Sequence, residues 1–306
     1  MRTMKLGSSG LEVPVVAVGC MRMKQISGAE AERFVRSALD AGACFFDHAD
    51  VYGDGLCEEM FAEAVGMSSA VREKILIQSK CGIRRKIAFD FSCDHILKAV
   101  DASLKRLKTG YLDVLLLHRP DALVEPEEVA EAFGILHAAG KVRHFGVSNQ
   151  SPMMIRLLQK YVGQRFVANQ LQLSICHATM ISADLTMNTD RPEAVDRDGG
   201  VLNFCRLNDI TIQPWSPFQY GCFEGVFLDN PKFPALNAKI DEIAAKYGVS
   251  NITVAIAWLL RHPARMQPVT GTMKPERLRD CLKAADIRLT REEWYEIYLA
   301  AGNILP

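Results

Sequence analysis

The chain alternates between short apolar runs rich in β-branched residues and longer amphipathic segments. The amphipathic segments carry apolar residues every three to four positions, which is typical of a helix with one buried face. Asp94–Leu107 is one example, and Ala31–Ala41, which Ser27 is placed to cap, is another. The short runs, which we predict to be strands, are Val15–Val18, Cys44–Asp47, Ile75–Ser79, Val114–His118, Val142–Val147, Phe166–Leu171, Ile210–Trp215 and Gln267–Thr270.

Eight strands that are apolar almost throughout, each separated from the next by a helix, indicate a parallel sheet covered on its outer face. An open, dinucleotide-binding sheet would show a GxGxxG turn after its first strand, and this sequence has none. Eight units within 306 residues favour a closed (β/α)8 TIM barrel of the α/β class. Lys5–Val13, with a Gly/Ser turn, predicts a β-hairpin ahead of the barrel. Because no linker interrupts the pattern, residues 1–306 are predicted to form a single domain.

Two segments break the regular spacing of the units. Ala178–Gly200 is polar and follows the sixth predicted strand, and Phe218–Pro231 is aromatic and follows the seventh. Long loops in a compact domain usually serve function, and loops after strand ends lie on the C-terminal face of a barrel. Both segments are therefore predicted to be long loops on the face that carries the active site.

Charge and cysteine content narrow the class of partner and the compartment. Lys+Arg and Asp+Glu both number 36, so no basic excess is available for nucleic acid or for an acidic membrane surface. The nine cysteines form no CxxC pair, the N-terminus has no apolar signal core, and no apolar run reaches the length of a membrane span. The sequence predicts a cytoplasmic protein that acts on a small molecule, without a metal site, and leaves monomer and homo-oligomer open.

Ionisable residues stand at the ends of three consecutive predicted strands. One strand ends in Asp47, the next in Lys80 and the third in His118, while Tyr52 follows Asp47 by five residues. Because parallel barrel strands end on the same face, these side chains are predicted to converge. Taken singly, Asp47 and Lys80 read as a structural ion pair, His118 as a core histidine and Tyr52 as a half-buried aromatic residue. Their joint placement favours a catalytic site.

Such a group suits proton transfer to a carbonyl oxygen. A tyrosine with its ordinary pKa of about 10 is a poor acid at neutral pH, and a nearby ammonium is expected to lower the pKa of Tyr52. A carboxylate beside Lys80 would hold the ammonium in place, and a neutral His118 would donate a hydrogen bond to a substrate oxygen. The hydride that must reach the carbonyl carbon would come from a cofactor.

Several motifs, in order along nearly the whole chain, carry a family resemblance. The segments Phe45-Phe-Asp-His-Ala-Asp-Val-Tyr-Gly53, Ser79-Lys-Cys-Gly82, Leu115-Leu-Leu-His-Arg-Pro-Asp121, Gly140-Lys-Val-Arg-His-Phe-Gly-Val-Ser-Asn149 and Pro214-Trp-Ser-Pro217 resemble the aldo-keto reductases. The ending Leu289-Thr-Arg-Glu-Glu-Trp-Tyr-Glu-Ile297 is similar to their bacterial branch of predicted oxidoreductases. The resemblance implies that Tyr52 is the general acid, that Lys80 and Asp47 tune it, and that His118 orients the carbonyl.

The resemblance also implies an NADP(H) site. Its nicotinamide end would be held by Ser148, Asn149 and Gln170, with Trp215 stacked on the ring. Its phosphates would meet the Ser216–Gly221 loop and Gly271–Asp280, where a helix begins. Thr272, Lys274 and Arg277 favour NADP over NAD, although the preference between NADPH and NADH stays open. Asp280 matches a position that contacts adenine in relatives, whereas Cys281 stands where they often have asparagine. The implied cofactor residues are Ser148, Asn149, Gln170, Trp215, Ser216, Gly271, Thr272, Lys274, Arg277 and Asp280.

Three functions follow as hypotheses. The leading one is an oxidoreductase that reduces an aldehyde or ketone with NADPH. A nucleotide-binding regulatory or scaffold subunit of the same fold is the second, and a metal-dependent hydrolase is the third, because fold does not fix function. The physiological substrate stays open. His48 is either a neighbour at the barrel end or part of the substrate cavity, and Met21–Met23 are expected to border that cavity.

Overall fold

The computed structural model describes Met1–Pro306. The strands are β1 (Thr3–Lys5), β2 (Glu12–Pro14), β3 (Ala17–Gly19), β4 (Phe45–Asp47), β5 (Leu76–Cys81), β6 (Ile83–Arg84), β7 (Ala88–Phe89), β8 (Leu112–Leu117), β9 (Val142–Ser148), β10 (Phe166–Gln172), β11 (Thr211–Trp215), β12 (Gln219–Tyr220), β13 (Gly225–Val226) and β14 (Val269–Thr270). The α-helices are α1 (Gly28–Asp40), α2 (Leu56–Val65), α3 (Ser69–Arg72), α4 (Cys93–Arg106), α5 (Pro126–Ala138), α6 (Pro152–Tyr161), α7 (Thr179–Leu185), α8 (Val201–Leu207), α9 (Pro234–Tyr247), α10 (Asn251–Arg261), α11 (Pro275–Lys283) and α12 (Arg291–Ala300). Short 3-10 segments lie at Met23–Gln25, Tyr52–Gly55, Pro192–Ala194 and Ala284–Asp286.

Eight parallel strands close into a barrel in the ring order β3, β4, β5, β8, β9, β10, β11, β14. The predicted (β/α)8 TIM barrel is therefore confirmed, and each predicted strand overlaps an observed one. The last strand is shorter than predicted and begins at Val269 rather than at Gln267. Pro268 lies between them, and a proline has no N–H to donate to a neighbouring strand.

The predicted N-terminal hairpin forms and covers the N-terminal end of the barrel. Thr3 pairs with Pro14 and Lys5 with Glu12 in antiparallel register. Gly7 donates its N–H to Thr211 Oγ1 at 2.7 Å at the start of β11. Its φ is +52°, and a Cβ at this position would collide with the carbonyl oxygen of Val167, so the close approach requires glycine.

The helices pack on the outside of the barrel over a cluster of 67 buried apolar residues. Helix α1 begins with a capping box in which Ser27 accepts from Glu30 N–H and the Glu30 carboxylate accepts from Ser27 N–H. Ser92 caps α4. The two helices predicted at Ala31–Ala41 and Asp94–Leu107 are thus confirmed, each beginning slightly earlier than predicted. No single helix is long and apolar enough to cross a membrane; α9 and α10 meet that description only as a pair bent by 92°.

The two long segments differ from each other in the structure. Ala178–Gly200 is not an irregular loop, because it contains α7 and a 3-10 turn, and Ser182 Oγ in α7 lies 2.9 Å from Tyr298 Oη of α12. Phe218–Pro231 contains the small hairpin β12–β13. Buried apolar residues in α7, among them Met180 and Ile181, explain why the first segment is helical despite its polar composition.

Candidate active site

A buried ion pair lies at the C-terminal ends of two neighbouring strands. Asp47 is the last residue of β4, and Lys80 is the last but one of β5. Lys80 Nζ lies 2.8 Å from the Asp47 carboxylate and 2.8 Å from the carbonyl oxygen of His48. It also lies 3.1 Å from Tyr52 Oη. The structure therefore brings three of the four predicted catalytic residues into direct contact, with Lys80 only 1% exposed.

A tight turn places Tyr52 over this ion pair. Tyr52 N–H donates to the carbonyl oxygen of Ala49 at 3.0 Å and opens the 3-10 segment Tyr52–Gly55. The next three residues all have positive φ, with Asp54 at +56° between two glycines. Such a run reverses the chain within a few residues, so the phenol returns toward the end of β5.

Burial and Lys80 act in opposite directions on the proton of Tyr52. Burial raises the pKa of Tyr52 above its ordinary value, and Lys80 lowers it by a smaller amount. The expectation that the ammonium would lower the pKa of Tyr52 is therefore right for the contribution of Lys80 and wrong for the net shift. Burial also opposes the charge of Lys80, but Asp47 and Tyr52 outweigh it and raise the pKa of Lys80. At neutral pH the phenol keeps its proton beside a charged ammonium.

His118 directly follows β8 and completes the group. Its ring is edge-on to Tyr52, with 5.9 Å between the ring centroids. Burial lowers the pKa of His118 well below its ordinary value, and the positive charges of Lys80 and Arg119 lower it further. The imidazole is therefore neutral at physiological pH, and a neutral imidazole can donate a hydrogen bond without adding charge.

A cavity of about 710 Å³ opens at this end of the barrel. Asp47, Tyr52 and His118 line it, whereas Lys80 lies beneath them. The predicted cofactor residues that line it are Ser148, Asn149, Gln170, Trp215, Ser216, Gly271, Thr272, Lys274 and Arg277. Asp280 does not line the cavity, and its carboxylate pairs with Lys283 at 2.9 Å; its neighbour Cys281 does line the cavity.

One part of the cavity wall combines polar side chains with the indole ring of Trp215. Ser148 Oγ donates to the carbonyl oxygen of Gln170 at 2.9 Å, and Asn149 Nδ2 donates to Ser148 Oγ at 2.8 Å. Trp215 Nε1 donates to Asn149 Oδ1 at 3.1 Å, which fixes the indole ring. Asn149 and Ser216 both adopt left-handed backbone, with φ of +58° and +53°. Such strain costs of order 1–3 kcal/mol each and clusters at binding sites. The indole ring beside amide and hydroxyl groups suits a planar ring that bears an amide.

The part of the cavity that follows β14 is suited to an anion. The helix α11 begins at Pro275, and Lys274, Glu276 and Arg277 around its first turn line the cavity. Free backbone N–H groups at a helix N-terminus attract phosphate. The one ion pair on this helix joins Lys283 to Asp280, so Lys274 and Arg277 have no carboxylate partner. These residues fit the phosphate groups of a dinucleotide.

The remaining residues considered for the substrate cavity separate into two groups. His48 is fully buried, with its ring centroid 4.6 Å from that of Phe61, and it does not line the cavity. Burial, with a smaller effect of Lys80, lowers the pKa of His48 to about 3. Met21 and Arg22 line the cavity, and Met23 is buried outside it. Of the two long segments, Phe218–Pro231 contributes to the lining and Ala178–Gly200 does not.

Sequence patterns did not point to three buried glutamines beneath this site. Gln78 Nε2 donates to Asp47 Oδ1 at 2.6 Å, and Gln213 Nε2 donates to Gln78 Oε1 at 3.1 Å and to Gln267 Oε1 at 2.8 Å. The signal was present in the sequence, since Gln78 and Gln213 interrupt apolar strands and Gln267 opens a predicted one, where aliphatic residues are expected.

Asp50, between Asp47 and Tyr52, has a partly buried carboxyl group whose enclosed Oδ1 has no hydrogen-bond partner. Burial, and to a lesser degree the charge of Glu58, raises the pKa of Asp50 to about 7. A folded-state pKa above the unfolded value means that the folded protein loses stability as pH rises from about 4 through about 7. For each protein, the quantity to compare is the change in the thermal midpoint from pH 5 to pH 8. We expect this change to be more favourable in Asp50→Asn than in wild type by roughly 2–5 °C, because the variant has no carboxyl group to ionise at this position.

Calorimetry or circular dichroism across this pH range measures the effect. Asp54→Asn is the matched control, because Asp54 lies in the same turn with its side chain 71% exposed and paired only with Arg85 at the surface. The control is expected to follow wild type at every pH. A parallel pH dependence for wild type and Asp50→Asn would show that Asp50 does not titrate in this range.

Residues 15–300 match the sequence profile of the Aldo/keto reductase family. The chain is 34% identical to the "uncharacterized oxidoreductase YcsN" of Bacillus subtilis, over 97% of each chain. It is 32% identical to the 6-dehydroglucose reductase of Novosphingobium aromaticivorans, over 99% of this chain and 96% of that one. Among solved structures, the thermostable aldo-keto reductase Tm1743 shares the fold with a TM-score of 0.77 at 24% identity, over 98% of this chain and all of that one.

Proposed function

The chain belongs to the aldo/keto reductase family of oxidoreductases, and from this premise we propose that it reduces an aldehyde or ketone carbonyl with NADPH. The observation that carries the proposal is the contact of Tyr52 Oη with buried Lys80 Nζ at 3.1 Å, beside a neutral histidine at the cavity wall. NADPH, when bound, supplies the hydride. Tyr52 acts as the general acid that donates its proton to the carbonyl oxygen.

The residues around Tyr52 prepare it for this role. Because burial raises the pKa of Tyr52, the proton is present at neutral pH when the substrate arrives. After the proton leaves, the phenolate oxygen is 3.1 Å from an ammonium, which offsets its charge. Asp47 and the carbonyl oxygen of His48 hold Lys80 in that position. His118, being neutral, donates to the substrate oxygen and orients the carbonyl toward Tyr52.

The cofactor would be held by two sets of residues that line the cavity. Ser148, Asn149 and Gln170 would bind the carboxamide of the nicotinamide, and Trp215 would stack on the ring. Ser216 and the start of α11 would receive the phosphates, with Lys274 and Arg277 neutralising a 2′-phosphate. Gly271 would lie beside the cofactor, and Thr272 Oγ1 accepts from Lys274 N–H at 3.2 Å in the turn that leads into α11.

A nucleotide titration followed by a carbonyl panel tests the proposal. The panel should include 6-dehydroglucose, since relatives of this chain are named for its reduction. We expect saturable binding of NADPH and oxidation of NADPH that depends on the carbonyl. Tight nucleotide binding without turnover on any carbonyl would instead favour a regulatory subunit.

The preference for NADPH can be tested at the start of α11. Lys274→Ala and Arg277→Ala are each expected to raise the Kd for NADPH roughly tenfold and to leave the Kd for NADH nearly unchanged, because only NADPH carries the 2′-phosphate. Quenching of intrinsic fluorescence on nucleotide binding gives both constants. Arg279→Ala is the control, since Arg279 is exposed on the same helix and does not line the cavity. Equal losses for both nucleotides would contradict the assignment.

A further inference from the structure

Four buried glutamines occupy the lumen of the barrel, where branched aliphatic side chains are usual. They are Gln78 on β5, Gln170 on β10, Gln213 on β11 and Gln267 just before β14, and we call them the lumen glutamines. Each is at most 3% exposed. Because a buried amide without partners is costly, such a set is stable only if its members bond to one another or to a fixed group.

The lumen glutamines form a layer that crosses the barrel. In the ring order of the strands, β4 lies opposite β10 and β5 lies opposite β11. Gln78 and Gln213 exchange two hydrogen bonds across the lumen, at 2.9 and 3.1 Å. Gln170 Nε2 spans the other diagonal to Asp47 Oδ1 at 3.0 Å. The hydrogen bonds of the layer therefore connect β4, β5, β10 and β11, and the carboxylate of Asp47 lies where they meet.

That carboxylate is the one that holds Lys80. Asp47 Oδ1 accepts from Gln78 Nε2 at 2.6 Å and from Gln170 Nε2 at 3.0 Å, and Asp47 Oδ2 accepts from Lys80 Nζ at 2.8 Å. Hydrogen bonds to a charged group are short, strong and directional. With three donors from two strands, β5 and β10, the carboxylate has a single orientation beneath the ammonium.

Gln213 determines how the other two amides are turned. Its Oε1 accepts from Gln78 Nε2 at 2.9 Å and from Gln170 Nε2 at 3.3 Å. Since Asp47 also offers only acceptors, both glutamines must present their NH2 groups to the layer. No group in the chain donates to Gln170 Oε1, and Gln170 lines the cavity. Its acceptor oxygen is thus left for a bound molecule.

We propose that Gln78 and Gln213 are positioning residues of the active site, Gln78 by orienting Asp47 under Lys80 and Gln213 by fixing the amide of Gln170 toward the cofactor. The chemical consequence rests on the proposed function, whereas the geometry belongs to the protein without ligands. Gln267, which donates to the carbonyl oxygen of Pro14 at 2.7 Å, anchors the far end of the layer and touches neither Asp47 nor Gln170.

The layer affects the proton of Tyr52 through Asp47. The charge of Asp47 raises the pKa of Tyr52, and the N–H dipole of Gln78 offsets part of that charge. Without this N–H, the potential at Tyr52 becomes more negative, so the pKa of Tyr52 is expected to rise further. The titratable groups around Tyr52 are Lys80, Asp47, Cys20 and His118.

Three unbranched replacements of similar length test the proposal. Gln78→Met and Gln213→Met remove the two positioning groups, and Gln267→Met removes buried hydrogen bonds of the same kind at the far end of the layer. All three are expected to lower the thermal midpoint, so stability alone does not separate them. The measurements are the Kd for NADPH, turnover in carbonyl reduction, and the pH profile of alcohol oxidation, which needs the phenolate.

We expect Gln78→Met to lower turnover roughly tenfold and to move the rising limb of the oxidation profile upward by about 0.5–1 pH unit, with the Kd for NADPH nearly unchanged. Gln213→Met is expected to raise that Kd roughly three- to tenfold. Gln267→Met should match wild type in Kd and in the pH profile. Equal changes in all three variants, or an unshifted profile in Gln78→Met, would overturn the proposal.

The unliganded protein gives a readout that needs neither nucleotide nor turnover. In ¹⁵N-labelled protein, the side-chain NH2 signals of Gln78 and Gln170 are expected to be displaced downfield and protected from exchange, and Gln213→Met should shift the signal of Gln170. Absence of protection would overturn the inference. If the signals behave as expected but wild type neither binds NADPH nor reduces any carbonyl, the proposed function fails and the positioning geometry stands.

Discussion

Replacing Tyr52 with phenylalanine is expected to lower carbonyl reduction by roughly 10²–10⁴-fold, the usual contribution of a general acid. The hydroxyl is the one group that combines a proton at neutral pH with contact to the Lys80 ammonium at 3.1 Å. The ring remains in place, and Lys80 keeps its contacts to Asp47 and to the carbonyl oxygen of His48. Stability and the Kd for NADPH should therefore stay close to those of wild type.

Steady-state kinetics and a nucleotide titration on the same preparation measure both halves of this prediction. Tyr220→Phe serves as the control, because Tyr220 lies in the neighbouring hairpin β12–β13 but does not line the cavity. The control should keep wild-type turnover. If Tyr52→Phe also keeps it, proton donation by Tyr52 is ruled out.

Replacing Lys80 with methionine is expected to damage both stability and activity. The side chain is buried and supplies the positive charge for Asp47. Removing one partner of a buried ion pair leaves the other charge uncompensated and costs about 3–5 kcal/mol. Because Lys80 lowers the pKa of Tyr52, its loss is also expected to raise that pKa further and to leave the phenolate unsupported. Denaturant unfolding and kinetics report the two effects separately.

A double variant distinguishes the structural role of Lys80 from its chemical role. In Asp47→Asn/Lys80→Met no charge is left unpaired, so stability is expected to recover by about 1–3 kcal/mol relative to Lys80→Met. Turnover should stay at the level of the single variant, because no ammonium faces Tyr52. Recovery of turnover together with stability would mean that Lys80 acts only as a structural partner.

The fold followed from the sequence because its signals repeat. The alternation of apolar runs with amphipathic segments occurs eight times, and each time it distinguishes a strand from a helix. The start of α1 is likewise predictable, because Ser27 and Glu30, which form its capping box, are three residues apart. The segment Ala178–Gly200 was mistaken for an irregular loop because α7 has only seven residues. Its helical state depends on burial against α12, where the hydroxyl groups of Ser182 and Tyr298 are hydrogen-bonded. The composition of the segment itself gives no sign of that contact.

The site was predictable where its residues end strands and less so where distant side chains meet. Asp47, Lys80 and His118 follow from the rule that parallel strands end on one face. The net shift in the pKa of Tyr52 was not predictable, because it depends on how deeply the folded chain buries the phenol. The contacts of Gln78 with Gln213 cross the barrel between residues 135 positions apart, and no local pattern specifies them.

The same limit applies to His48, for which the sequence left two positions open, and to the neighbours Asp280 and Cys281. His48 neighbours Asp47, yet strand alternation turns its ring to the outside of the barrel against Phe61 rather than toward the cavity. Asp280 lies on α11, whose helical turn presents Cys281 to the cavity and leaves Asp280 to Lys283. The sequence therefore predicted the helix or strand near which each residue lies, but not the direction in which its side chain points.

The central claim is that this site delivers a hydride to a carbonyl carbon while Tyr52 protonates the oxygen. It is tested most directly with NADPH carrying deuterium at C4, a carbonyl substrate from the panel, and mass spectrometry of the product. We predict an alcohol with one deuterium at the carbinol carbon, formed by wild type and lost in Tyr52→Phe. NADPH that binds but transfers no deuterium to any carbonyl, or transfer that persists undiminished in Tyr52→Phe, would contradict the account.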